Sequence, residues 1–318
     1  MSAVDPSSSP IAAAQHGMLE EFARAYLLQQ RRERRWRWLW RIVWIAVGGS
    51  MIWAAMHNMS ASTAPSSPHT ALVEVRGEIG GDTDANADNL TTALRSAFED
   101  AGAQAVVIRL NSPGGSPVQA GLVYDEIRRL KALHKKKVYA VCEEMCASAA
   151  YYIAVGADEI YVDKASMVGS IGVLMDGFGF VGIMDKAGVE RRLLTAGANK
   201  GMLDPYSPRN PQSEVFAQAM LDQIHQQFIA VVRQGRGKRL QETPETFSGL
   251  FWNGQESVKL GLADHLGSLD ILARDVIKAE DIIDYTLKEN LAERLAKRFG
   301  AALGGGVVHA MRSSVSIR

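Results

Sequence analysis

Three short stretches carry groups whose types and spacing suit acyl-transfer chemistry. Met145-Cys-Ala-Ser-Ala-Ala-Tyr-Tyr152 places Ser148 where an apolar run gives way to a helical pattern. A hydroxyl at a helix start lies near free backbone donors and the positive end of the helix dipole, which stabilise an oxyanion. Serine is also a favoured N-cap, and these residues alone fit either role. Asn111-Ser-Pro-Gly-Gly-Ser-Pro117 likewise follows an apolar run. Its Gly114 and Gly115 allow positive φ and close approach of backbone to a ligand, with N–H groups that can face an anion. An ordinary strand-to-helix turn reads the same way. The third stretch, Thr195-Ala-Gly-Ala-Asn-Lys-Gly-Met-Leu-Asp-Pro205, sets Lys200 among small residues.

A serine nucleophile needs a base. His16, His57 and His69 precede the predicted domain, and His309 lies near the end of the chain. His134 sits in a basic turn with Lys135–Lys137, and His225 in a polar stretch of helix. His265, in Asp264-His-Leu-Gly267, remains open, but none has the local setting of a triad member. A lysine serves as base if it is neutral. Moving its pKa from about 10.4 to near 7 costs on the order of 4–5 kcal/mol, which burial imposes. Lys200 fits that role, after a predicted strand Val189–Leu194 and with Arg192 and Asp204 as its nearest charges. No Cys/His cluster has metal-ligand spacing, so no metal and no cofactor are expected. Cys142 and Cys146 read as small apolar residues in a strand and a turn, open to oxidation in an exported domain.

The elements that must hold these groups alternate. Leu72–Arg76, Gln104–Leu110, Val138–Cys142 and Glu159–Val162 read as strands, the second a continuous apolar run typical of a buried sheet. Asn89–Ala101, Val118–Leu133 and Ala147–Val155 have helical spacing, and a long helix covers 211–236. Strand and helix in turn make βαβ units and a mainly parallel sheet, hence an α/β class. Ligands gather at the carboxyl ends of strands in such folds, where the serine and glycine loops both lie. From Asp281 to Phe299 charged and apolar residues alternate as in an amphipathic helix, and the glycine-rich tail beyond reads as flexible.

Thirty-five basic and 35 acidic side chains cancel over 318 residues, which argues against a globally basic nucleic-acid binder. The balance hides an asymmetry: residues 1–41 hold seven Arg and four acids, and five of the six Trp fall between Trp36 and Trp53. Ile42–Met56 is uncharged and almost wholly apolar. With Trp38, Leu39 and Trp40 it reaches about 19 residues, enough to cross a ~30 Å hydrocarbon core. The preceding arginines keep that end cytoplasmic by the positive-inside rule, and the rest is exported. A cleaved signal peptide is the rival reading, with Ser60-Ala-Ser62 as its small-residue site, although the roughly 40 residues before the apolar run exceed the length of a whole ordinary signal peptide. The expected organisation is a cytoplasmic tail (1–37), a transmembrane signal anchor (38–57), a linker (58–70), a catalytic domain (71–280) and a C-terminal helix and tail (281–318).

Taken in order, NSPGGSP, MCASAAYY with VGSIGV at 168–173, TAGANKGMLDPYSP and FWNGQESVKLGLADHLG resemble signal peptide peptidase A and its relatives over about Leu72 to Leu272. Those are membrane-bound Ser–Lys peptidases of the crotonase/Clp-protease fold. The resemblance implies Ser148 as nucleophile, Lys200 as general base and Ser170 as a hydroxyl that orients the lysine amine. It implies an oxyanion hole shaped by Gly114, Gly115 and Ala149, a homo-oligomer that completes the sites, and no cofactor. Substrates would be residual signal peptides and other apolar peptides beside the lipid bilayer of the inner membrane, on its extracytoplasmic side. One departure is Ala149–Ala150, where many relatives have glycine. Rival readings are a crotonase-type acyl-CoA enzyme and a non-catalytic membrane scaffold of the same fold. Gly177-Phe-Gly-Phe-Val-Gly182 also spells a dinucleotide fingerprint, but the next predicted strand follows too soon for a βαβ unit.

Overall fold

The computed structural model describes residue 36, residues 38–51, residue 53 and residues 67–287. The chain divides into two compact units, Met1–Pro65 and Ser66–Arg318. In the first, residues 38–51 are helical, and Trp38, Leu39, Trp40, Trp44 and Ile45 are all exposed. Among the described residues no helix is long and apolar enough to cross a membrane. The expected span 38–57 runs beyond them, because residues 52 and 54–57 lie outside the described set, as does residues 1–35 of the tail.

The second unit is built on one sheet. Its elements are β1 (His69–Arg76), α1 (Ala87–Glu99), β2 (Ala103–Ser112), α2 (Pro117–His134), β3 (Val138–Ala147), α3 (Ala149–Ala154), β4 (Glu159–Val162), β5 (Met167–Gly169), α4 (Val181–Lys186), α5 (Pro211–Arg236), β6 (Phe251–Asn253), α6 (Gly254–Lys259), β7 (His265–Leu266) and β8 (Ile282–Asp284). Neighbours run β6-β5-β3-β2-β1-β8, with β4 on β3 and β7 on β4. Every ladder is parallel except β5–β6. The expected mainly parallel α/β class is therefore what forms.

Alternation along the strands sorts the core. Val73, Val75, Val106, Ile108 and Leu110 pack with α1, α2 and α3 on one face. Leu72, Val107, Tyr139, Val141 and Tyr161 pack with Leu269 and Leu272 on the other. Both faces are covered, which is why the central strands read as unbroken apolar runs. The helices start where sequence permits: Asn86 caps α1, Ser116 with Pro117 opens α2, and Asn210 with Pro211 opens α5. Arg236 at the end of α5 is buried and forks onto the Asp264 carboxylate at 2.7 and 2.9 Å, while Ile160 donates its N–H to the same group. Burial pushes the Asp264 carboxyl up, but the Arg236 hydrogen bonds and charge outweigh it and hold the group below its ordinary value.

Three expectations are corrected. β1 begins at His69, so this residue belongs to the domain, buried and bonded through Nε2 to the Tyr285 hydroxyl at 3.0 Å. Ile282–Asp284 form a strand beside β1, not the start of a helix, because the β-branched pair meets an open parallel edge there. Val189–Leu194 is not a strand: among the described residues no neighbouring strand pairs with it, and alternation without a ladder does not hold one.

Candidate active site

β3 changes partners along its length. Tyr139–Cys142 pair with β4, whereas Met145–Ala147 pair with β5. Its register against β2 shifts between Leu110 and Ser112, so the strand bends away just before Ser148. The serine itself stands at φ 54° and ψ −120°, a region that costs a non-glycine residue about 1–3 kcal/mol. A capping serine has extended backbone and a hydroxyl bonded to the first turn, and Ser148 has neither. The cap reading therefore fails. Its N–H donates to the Gly169 carbonyl at 2.8 Å, which ties the corner to β5.

Gly114 lies against this corner. At φ 109°, a Cβ on it would fall 2.7 Å from Ser148 Cβ and 3.1 Å from the Ala149 nitrogen. Only glycine fits. Its N–H is not free, however, since it donates to Ser112 Oγ at 3.1 Å. Gly115, at φ 144°, presses its α-carbon on Ile79, where a Cβ would stand 2.1 Å from the carbonyl oxygen. The N–H groups of Gly115 and Ala149 make no hydrogen bond among the described residues. Of the three expected oxyanion residues, Gly114 supplies close approach, while Gly115 and Ala149 hold available donors.

Ser170 follows Gly169 at φ 51°, its N–H on the Leu250 carbonyl at 2.7 Å, so the fold sets it one residue from the Ser148 tether. His225 of α5 reaches the next residue, with Nε2 3.0 Å from the Ile171 carbonyl. Sequence position suggested only a polar helix face for this histidine. Gly169 was missed too: its sole sequence signal is a glycine between strand residues, and a Cβ there would meet the Trp252 ring at 2.9 Å. Lys200 is in a different setting, exposed to solvent. No residue from Val173 to Asn210 is buried, and the Lys200 amine makes no hydrogen bond or ion pair among the described residues.

The nearby thiols do not compete as nucleophiles. Cys142 and Cys146 are both buried, unbridged and turned into the core. Burial pushes the Cys146 thiol well up, and its hydrogen bond with Cys142 adds to that, which disfavours the thiolate. Burial raises the Tyr151 phenol as well, and its hydroxyl donates to the Leu262 carbonyl at 2.8 Å. Among the described residues no His/Cys/Asp/Glu group has the makings of a metal site.

Comparison with known proteins adds an independent line. The profile of a family described as Peptidase family S49 matches residues 131–282, which hold Ser148, Ser170 and Lys200. A Brucella melitensis protein named Na(+)/H(+) antiporter NhaA is 47% identical over 176 residues, covering 55% of this chain and 24% of that protein. An Enterococcus faecium protein that bears the name of signal peptide peptidase SppA is 28% identical over 204 residues, 64% of this chain and 59% of that one. A protease-named protein of Synechocystis sp. is 30% identical over 198 residues, 62% of this chain and 69% of that protein. The chain thus spans less than two thirds of the first two and just over two thirds of the third.

Proposed function

Because the chain belongs to peptidase family S49, a family of serine peptidases, we propose that it is a membrane-anchored endopeptidase acting through Ser148 and Lys200. The observation that carries this is the Ser148 corner: a strained, uncapped serine followed by the unengaged Ala149 N–H and packed against the Gly114–Gly115 loop. Neutral Lys200 takes the Ser148 proton as Oγ attacks a peptide carbonyl, and the N–H groups of Gly115 and Ala149 receive the oxyanion. The lysine ammonium then protonates the leaving amine, and water releases the acyl group. Ser170, next to the Gly169 that holds the Ser148 N–H, orients the lysine amine in this reading.

A lysine base needs desolvation, and no residue of the segment that bears Lys200 is buried. Its exposed apolar side chains, with Leu174 at 81%, Phe178 at 79% and Leu194 at 97%, favour a second copy of the chain as its cover. The crotonase/Clp-type fold and the homo-oligomer are part of the same reading. So is the placement: an inner-membrane anchor over 38–57, with the domain on the extracytoplasmic face, where signal-peptide remnants and other apolar segments collect. The SppA name of the enterococcal relative supports that substrate class.

The test uses the full chain in membranes with a fluorophosphonate probe and a fluorogenic apolar peptide. Labelling at Ser148 with concurrent loss of hydrolysis is expected. A folded, assembled chain that takes up no probe would favour a non-catalytic scaffold.

A further inference from the structure

The geometry points to Ser112 as a positioning residue that decides which glycine N–H of the loop faces the nucleophile. This role rests on the Ser148 reading above. Ser112 ends β2, is fully buried, and pairs in register with Cys146, two residues before Ser148. Its Oγ accepts the Gly114 N–H at 3.1 Å within the buried interior. Gly114 is the residue pressed on Ser148 Cβ, so the glycine donor beside the nucleophile is already engaged.

The next peptide plane is set from the other side. The Ile79 N–H donates to the Gly114 carbonyl at 2.9 Å, and Ser116 donates to the Ile79 carbonyl at 2.8 Å. In a trans peptide the N–H points opposite to the C=O. With the Gly114 carbonyl turned to Ile79, the Gly115 N–H turns away from it. Two successive planes are therefore held, one by Ser112 and one by Ile79. Glycines at φ 109° and 144° supply no stiffness of their own, since both wells of glycine are open to rotation. Remove the Ser112 hydroxyl, and the buried Gly114 N–H loses its acceptor. The loop then gains by rotating that donor toward another oxygen, which disturbs the Gly115 N–H one plane further on.

The experiment is Ser112→Ala in the full chain, with active sites titrated by fluorophosphonate so that rates are counted per reactive Ser148. A kcat per titrated site lowered about 10- to 100-fold is expected, with KM within about twofold. A lower melting temperature is expected under either role, whereas a merely structural role would lower only the number of titrated sites and leave kcat per site alone. An unchanged kcat per site in an active background overturns the Ser112 role only. A raised one does the same, because it would mean that the freed Gly114 N–H itself serves the oxyanion. A wild-type chain that neither labels nor hydrolyses sinks the Ser148 reading and this role together.

Discussion

The corner that carries Ser148 and the segment that carries Lys200 are built on opposite principles. Around Ser148 the backbone is held by its neighbours: Gly169 takes its N–H, β2 and β5 flank its strand, and the close packing leaves no room for a methyl group on Gly114. From Val173 to Asn210 nothing is buried, one short helix forms, and large apolar side chains face solvent. A single chain thus fixes the Ser148 corner while leaving the segment around Lys200 exposed. Strain at Ser148 is tolerable only because packing over-determines it. The exposed arm has no such constraint until something covers it.

The widest test of that contrast is chemical. Ser148→Ala and Lys200→Ala should each lower peptide hydrolysis by roughly four orders of magnitude or more, whichever region bears the residue. Substantial turnover in Lys200→Ala would detach the exposed segment from the chemistry. Next comes the rigid side. Asp264→Asn leaves Arg236 buried without its carboxylate, so chemical denaturation should reveal a loss of about 3–5 kcal/mol. A comparable loss from a polar substitution between Val173 and Asn210 would break the distinction.

Leu194→Asp addresses the open side. It should weaken self-association and lower activity by about tenfold, while the melting temperature of the dissociated chain stays the same. Sedimentation and a rate assay on the same sample read both. The smallest effect concerns Glu126, on α2. The Arg129 hydrogen bond, opposed by burial and joined by Arg95, holds its carboxyl down at about 2 from an ordinary 4.5. A depressed folded-state pKa stabilises fully above the unfolded value, so this contribution is lost as pH falls from about 4.5 toward 2. Because both arginines are about half exposed, Glu126→Gln should cost about 1 kcal/mol or less and flatten that acid slope in melting curves.

Much of the scaffold was legible because local and long-range signals agree there. Glu159–Val162 and the helix over 211–236 formed over the bounds their patterns predicted, since apolar period, caps and proline positions coincide. Ser148 and the glycine pair could be found as candidates, because each follows an apolar run, where ligands gather in parallel sheets. Their use could not be read off. Whether a serine caps a helix depends on its φ and ψ, and whether a glycine N–H is free depends on Ser112 and Ile79 folding back on it. Val189–Leu194 misled for the complementary reason: its pattern is that of a strand, but a strand also needs a neighbour.

Composition and order of residues determined that a sheet of parallel strands would form with a serine and a glycine pair near its strand ends. These follow from hydrophobic period and turn chemistry, which are properties of neighbours along the chain. Only the tertiary structure decided that β3 bends to strain Ser148, that Gly114 gives its N–H to Ser112, and that β8 closes on β1 beside His69. Each of these is a contact between residues far apart in sequence or a backbone angle enforced by such contacts. No local pattern encodes them.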